Sequence, residues 1–171
     1  TESGGLDYAE TITVSVNDLI DETPKDISLS SSSFNENINS GSVVATLSTT
    51  DADTSDSHTY ELVSGDGDTD NALFTIEGSE LKINSSPDYE TKSSYSVRLK
   101  TTDSGGASYE EALSISVGDL IDESPTDISL SETSFNENIN SGSVVATLST
   151  KDADSGDSHT YTLVRGTGDT D

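Results

Sequence analysis

Pairs of acidic residues separated by a single residue recur along the chain. Asp51-Ala52-Asp53 returns as Asp152-Ala153-Asp154, and Asp88-Tyr89-Glu90 has the same spacing. In an extended backbone, residues i and i+2 point to the same side, so both carboxylates of a pair face one point. Two carboxylates ~4 Å apart repel each other by roughly 1 to 4 kcal/mol unless a cation lies between them. Calcium accepts about 6–8 oxygen ligands in flexible geometry and suits such pairs better than magnesium.

Further acidic residues are placed by the sequence near the ends of predicted strands: Glu36, Asp103, Asp119 and Asp122. A second acidic pattern, Asp66, Asp68, Asp70 and Glu77, has the spacing of an EF-hand-like loop. Its second copy loses the first ligand, because Thr167 stands where Asp66 does. The alternative for all these residues is a solvated acidic surface that binds no metal.

Composition excludes several classes of function. The 171 residues include 33 Asp and Glu but only 7 Lys and Arg, for a formal net charge of −26. Such a chain repels the phosphates of nucleic acids and anionic membrane surfaces. No apolar run approaches the ~20 residues that span a bilayer. Cysteine is absent, so there is no disulfide, no cysteine-based zinc cluster and no thiol nucleophile.

Low hydrophobicity with high charge is also typical of disordered chains, but here the apolar residues alternate. Tyr95, Val97 and Leu99 are separated by polar residues, and so are Leu113, Ile115 and Val117, which is the period of half-buried strands. Strands are predicted at about 25–34, 42–50, 58–64, 72–77, 80–84, 94–102 and 108–118. The expected core consists of Ile27, Leu29, Phe34, Leu47, Tyr60, Leu62, Phe74, Ile76, Leu81, Ile83, Tyr95, Val97, Leu99, Leu113, Ile115 and Val117.

The chain also repeats itself with an offset of one complete domain. Residues 34–41 return as 135–142, and 18–22 return as 119–123. Seven short strands in about 100 residues predict an all-β fold of tandem, Greek-key, immunoglobulin-like sandwiches. We expect residues 1–21 to be the C-terminal strands of a preceding repeat, 22–122 a complete repeat, and 123–171 the N-terminal half of the next one.

Four motifs, in order, resemble those of the cadherin repeat. Asn35-Glu36-Asn37 resembles its x-Glu-Asn motif, and Asp88-Tyr89-Glu90 its Asp-Arg-Glu motif. Residues 119–125 resemble its linker, Asp-x-Asn-Asp-Asn-x-Pro, and Asp152-Ala153-Asp154 its Asp-x-Asp motif. The Ser/Thr/Asp-rich, cysteine-free character is most similar to the cadherin-like repeats of large prokaryotic surface proteins.

This resemblance implies calcium ions at each junction between repeats. At the later junction, the implied ligands are Glu36, Asp88, Glu90, Asp119, Asp122, Asp152 and Asp154. At the earlier junction they are Asp18, Asp21, Asp51, Asp53 and Asp103, with further ligands expected before Thr1. Ile121 and Ile20 stand where the family has a ligating Asn, so we expect two or three ions at each junction. Glu123 and Glu22 replace a second Asn, which in the family contributes mainly its carbonyl oxygen.

The sequence favours a calcium-rigidified module of a long extracellular adhesin or surface filament, whose partners are neighbouring repeats and possible homophilic, cell-surface or polysaccharide ligands. A carbohydrate-binding module is the alternative, although the chain has no Trp to stack on a sugar. Catalysis by Asp88 and Glu90 is not expected, because paired catalytic carboxylates face each other across a cleft. His58 and His159 are expected to be surface residues rather than zinc ligands.

Overall fold

The computed structural model describes residues 8–17, 19, 22–53 and 55–168. One repeat contains eight strands and a 3-10 turn at Asn71–Leu73. The strands are β1 (Asp26–Leu29), β2 (Ser33–Asn35), β3 (Val43–Thr50), β4 (His58–Leu62), β5 (Phe74–Glu77), β6 (Glu80–Ile83), β7 (Ser94–Asp103) and β8 (Ser108–Gly118). They form two four-stranded sheets, ordered β1-β3-β6-β5 and β2-β8-β7-β4. The predicted all-β sandwich is confirmed.

The prediction of one continuous first strand at 25–34 is wrong. β1 pairs antiparallel with β3 in one sheet, whereas β2 pairs parallel with β8 in the other. The chain crosses between sheets through Ser30–Ser32, where Ser30 Oγ accepts from the backbone N–H of Thr46. Small polar side chains permit this crossing because they need no place in the core and can bond to the backbone locally.

The core lies between the two sheets. Ten of the sixteen predicted residues are buried in it, and the other six are partly buried and pack against it: Leu29, Phe34, Tyr60, Leu62, Ile76 and Leu113. Val44 and Ala45 are buried but were not predicted. The pairing of β3 with β6 shifts register between Val43 and Ala45. This bulge turns both Val44 and Ala45 inward, which strict alternation does not allow. A bulge is set by pairing with another strand and leaves no mark on the local pattern.

Residues 123–168 repeat only part of this arrangement. β9 (Asp127–Leu130) pairs antiparallel with β10 (Leu148–Lys151) in the register of β1 with β3. The apolar residues of this segment remain exposed, among them Phe135 and Leu163, whereas their repeat equivalents pack against the core. Residues 8–17 contain no strand. Within the described ranges, no helix could cross a membrane.

The repeat supplies a matched pair of leucines for testing the core. Leu47 is 3% exposed, and its equivalent Leu148 is 46% exposed. We expect Leu47→Ala to lower the free energy of unfolding of the complete repeat by about 2–5 kcal/mol, because it leaves a cavity. Leu148→Ala should leave that transition nearly unchanged. Urea unfolding followed by far-ultraviolet circular dichroism measures both, and equal losses would contradict this placement of the core.

Candidate calcium-binding junction

Glu36 directly follows β2, and the end of this strand determines its position. Gly118, at the end of β8, lies so close to Asn35 that a Cβ there would be 2.7 Å from the Asn35 Oδ1 atom. The backbone N–H of Glu36 donates to the carbonyl of Gly118 (3.1 Å), which holds β2 against the start of the linker. Asn37 then turns the chain with a φ of +59°, a conformation that Asn tolerates better than most residues.

Glu36 is 2% exposed, and both oxygens of its carboxylate accept hydrogen bonds. Oε2 accepts from the backbone N–H of Tyr89, and Oε1 from that of Leu120, each at 2.7 Å. One buried side chain therefore fastens both the acidic loop after Pro87 and the linker to the repeat.

Five further carboxylates gather around Glu36, and we call the six together the junction cluster. They form three overlapping groups, in each of which one oxygen per residue lies within 4.8 Å of the others. The groups are Glu36 with Glu90 and Asp119, Glu36 with Asp122 and Glu123, and Glu90 with Glu123 and Asp154.

Asp154 connects the cluster to the segment that follows the linker. Its Oδ2 accepts from the backbone N–H groups of Asp122 (3.1 Å) and Glu123 (3.0 Å). The residue is 4% exposed, yet its Oδ1 is buried without a hydrogen-bond partner, as is Oε2 of Glu123. Buried carboxylate oxygens without a donor are costly, so these two atoms favour either a cation or a shared proton at this position.

The electrostatics of the cluster agree with this interpretation. Burial, reinforced by Asp154 and Asp122, raises the pKa of Glu123 to about 7. Burial and neighbouring carboxylates also raise the pKa values of Asp122 and Glu90. Among the ion pairs of the described residues, none brings a Lys or Arg to the cluster.

Two predicted ligands of this junction have other partners. Asp88 accepts from the backbone N–H and the hydroxyl of Thr91, both at 2.9 Å, and these bonds lower its pKa. Asp152 accepts from the backbone N–H of Asp154 and contacts Nε2 of His159 at 2.9 Å. Neither belongs to the three groups of the cluster.

At the earlier junction, the described residues repeat part of this geometry. Asp53 is buried and accepts from the backbone N–H of Glu22 at 3.0 Å, as Asp154 does from Glu123. Asp51 contacts Nε2 of His58 at 3.1 Å. Asp103 is buried at the end of β7 and accepts from the backbone N–H of Ala107 at 2.8 Å. Asp18 and Asp21 lie outside the described residues.

Sequence reasoning missed three features of these sites. Glu123 was expected to contribute mainly a carbonyl oxygen, but its carboxylate belongs to two groups of the cluster. Asp56, near Asp51 and His58, was not identified as part of an acidic group. The histidines were expected at the surface, whereas the side chain of His58 is only 13% exposed. The signal for all three was an identical residue at the equivalent position of the other copy: Glu22 for Glu123, Asp157 for Asp56 and His159 for His58.

The EF-hand-like pattern does not form a site. Asp70 is buried, accepts from the backbone N–H of Ser96 and pairs with Lys92 at 2.9 Å. Asp68 accepts from the backbone N–H of Gly65. The carboxylates of Asp68 and Asp70 thus stabilise the turn and the adjacent strand. The four acidic residues of the pattern do not form a metal group among the described residues.

The residues of the junction cluster fit a calcium ion by their chemistry. All the candidate ligand atoms are carboxylate oxygens, which hard divalent cations prefer. The backbone N–H groups that donate hydrogen bonds to these carboxylates offset only part of their negative charge. The two buried oxygens without donors need a cation or a proton. Beside the cluster lies an open groove of about 390 Å³, lined by Tyr89, Glu90, Ser93, Asp119, Ala153 and Ser155.

Glu36→Ala tests whether this carboxylate fastens the linker. Without metal, we expect the amides of Tyr89 and Leu120 to exchange roughly 5- to 100-fold faster, because each loses an acceptor worth about 1–3 kcal/mol. Hydrogen exchange measured in EDTA reports these two amides directly. Glu132→Ala, on an exposed residue, is the control. Unchanged exchange at both amides would contradict the role assigned to Glu36.

Comparisons with known proteins agree with this architecture. The sequence profile described as "Cadherin domain" matches residues 30–118. The chain is 31% identical over 129 residues to human (Homo sapiens) Protocadherin alpha-2, covering 71% of this chain and 14% of that protein. It is 32% identical over 117 residues to Cadherin-3 of Caenorhabditis elegans, covering 67% of this chain and 3% of that protein.

The solved structure of Protocadherin Gamma B7 extracellular cadherin domains 1–4 superposes with a TM-score of 0.54 at 26% identity, covering 80% of this chain and 34% of that one. The human Desmocollin-1 ectodomain, at 22% identity and a TM-score of 0.56, shares the fold; the match covers 81% of this chain and 28% of that one. The chain thus spans a small part of the relatives it matches. The sandwich and the profile match over 30–118 together show that the chain belongs to the cadherin domain family.

Proposed function

We propose that this chain is a calcium-rigidified extracellular module of a long adhesin or surface filament, with a structural and adhesive rather than catalytic role. The observation that carries the proposal is the junction cluster, in which carboxylates of one repeat, its linker and the next segment approach one another without a Lys or Arg partner. A cation there would attract three parts of the chain that otherwise repel each other.

Calcium would be held at the later junction by Glu36, Glu90, Asp119, Asp122 and Asp154, with Asp88 and Asp152 as further proposed ligands. At the earlier junction, Asp18, Asp21, Asp51, Asp53 and Asp103 would serve. We propose two or three ions for each junction, fewer where Ile121 or Ile20 presents no oxygen. When bound, calcium supplies positive charge and joins oxygens of consecutive units, which stiffens the linker.

The surroundings of the module are part of the same proposal. The cysteine-free, Ser/Thr/Asp-rich composition supports a place in a large prokaryotic surface protein. Its immediate partners would be neighbouring repeats of the same protein, and its distant partners another copy, a cell surface or a polysaccharide. Extracellular calcium modules bind the ion at ~10⁻⁴–10⁻³ M, so occupancy would follow the surrounding medium.

Calcium should stabilise the chain measurably. At a free concentration of about 100 times Kd, a single site adds about 2.7 kcal/mol to the free energy of unfolding. For a domain of about 100 residues this is a rise in Tm of roughly 10 °C. Thermal unfolding with excess calcium and with EDTA measures the effect, and magnesium at the same concentration should produce a smaller rise. Identical Tm values in calcium and EDTA would exclude the proposal.

Asp154→Asn locates the ion at the junction. Because Asn keeps an acceptor for the linker N–H groups but removes one negative charge, we expect the variant to fold and to bind calcium about tenfold or more weakly. Asp127→Asn, on exposed β9, should bind calcium like the unmodified chain. Isothermal titration calorimetry distinguishes the two, and equal affinities would place the ion elsewhere.

A further inference from the structure

Glu123 occupies a position that the other carboxylates of the junction cluster do not. It is the one linker residue whose carboxylate belongs both to the group of Glu36 and Asp122 and to the group of Glu90 and Asp154. The first group lies where the linker meets the complete repeat, and the second reaches the segment beyond the linker. A cation bound by the Glu123 carboxylate would therefore connect the two groups.

The carboxylate of Glu123 has one oxygen for which the described residues supply no hydrogen-bond donor. Its Oε2 is buried and has no hydrogen-bond partner, and the same is true of Oδ1 of Asp154, a residue that is 4% exposed. The backbone N–H of Glu123 already donates to Oδ2 of Asp154. One carboxylate oxygen of Glu123 also lies within 4.8 Å of one of Asp154. Two buried acceptors so placed need either a proton or a cation between them.

We propose that Glu123 is a calcium ligand through its side chain, shared by the two groups of the junction cluster, and not only a linker residue that offers its backbone carbonyl. The inference rests on the proposed function, since it concerns the same ions. It adds one negative charge to the donor set, which strengthens the attraction for a divalent cation. Glu22, whose N–H donates to Asp53 in the same way, is the corresponding residue at the earlier junction.

The alternative is that Glu123 and Asp154 share a proton and have only a structural role. Glu123→Gln separates the two interpretations. A Gln side chain can donate N–H to Asp154, so it replaces the shared proton without offering a charged ligand. If the role is structural, the variant should bind calcium like the unmodified chain. If Glu123 is a ligand, the variant should be at least as stable in EDTA and yet bind calcium less well.

The experiment uses the full 171-residue chain in five forms: unmodified, Asp154→Asn, Glu123→Gln, Glu123→Asp, and Glu132→Gln as an exposed control. Calorimetric titration gives the affinity, native mass spectrometry counts the ions, and thermal unfolding in EDTA reports the stability of the metal-free form. We expect Glu123→Gln to bind calcium about tenfold or more weakly, or to hold one ion fewer, with a Tm in EDTA that is unchanged or higher.

Each outcome has a distinct meaning. If the unmodified chain takes up no calcium, the proposed function fails and this inference fails with it. If the unmodified chain and Asp154→Asn differ in calcium affinity, but Glu123→Gln matches the Glu132→Gln control in affinity and ion count, only the role assigned to Glu123 is overturned. Glu123→Asp, which keeps the charge on a shorter side chain, should recover part of the affinity lost in Glu123→Gln.

Discussion

The six carboxylates of the junction cluster repel one another, and the rest of the structure has to offset this repulsion. Two carboxylates ~4 Å apart repel each other by roughly 1 to 4 kcal/mol, and burial adds a desolvation penalty. A chain with a net charge of −26 has little positive charge with which to offset this cost. Four of its cationic side chains form ion pairs with carboxylates outside the cluster: Lys82, Lys92, Arg98 and Lys100. Backbone N–H groups are therefore the donors that hold Glu36 and Asp154 in place.

The sandwich determines where those N–H groups lie. The crossing at Ser30–Ser32 brings β2 into the second sheet, and its parallel pairing with β8 places Glu36 beside the first residues of the linker. A Cβ at Gly118 would lie 2.7 Å from Oδ1 of Asn35, so a larger residue there would require the Asn35 side chain to move. The three-residue strand β2 thus determines where Glu36 lies in the junction cluster. The core behind it is modest, but it is fully buried at Leu81, Leu99 and Ile115 and resists the electrostatic repulsion.

The two copies of the repeat share part of their strand pairing but differ in apolar burial. β9 and β10 reproduce the pairing of β1 and β3, and Asp154 reproduces the burial of Asp53. Phe135, by contrast, is exposed, while Phe34 packs against Tyr95 with ring centroids 6.0 Å apart. The acidic loop therefore takes its shape from local bonds, such as those of Asp152 with Asp154 and His159. Apolar burial needs strands that are far apart in the sequence.

The sequence by itself determined the all-β fold, the repeat and most of the core, because alternation and self-similarity are local properties of the chain. It also indicated where acidic residues gather, because the i, i+2 spacing acts within one extended segment. Only the tertiary structure decided that the first strand divides between two sheets and that Val44 turns inward at a bulge. It also decided that Asp152 turns to His159 and that the side chain of Glu123 faces Asp154. The direction of a side chain in a linker depends on residues some thirty positions away, and no local pattern encodes that distance.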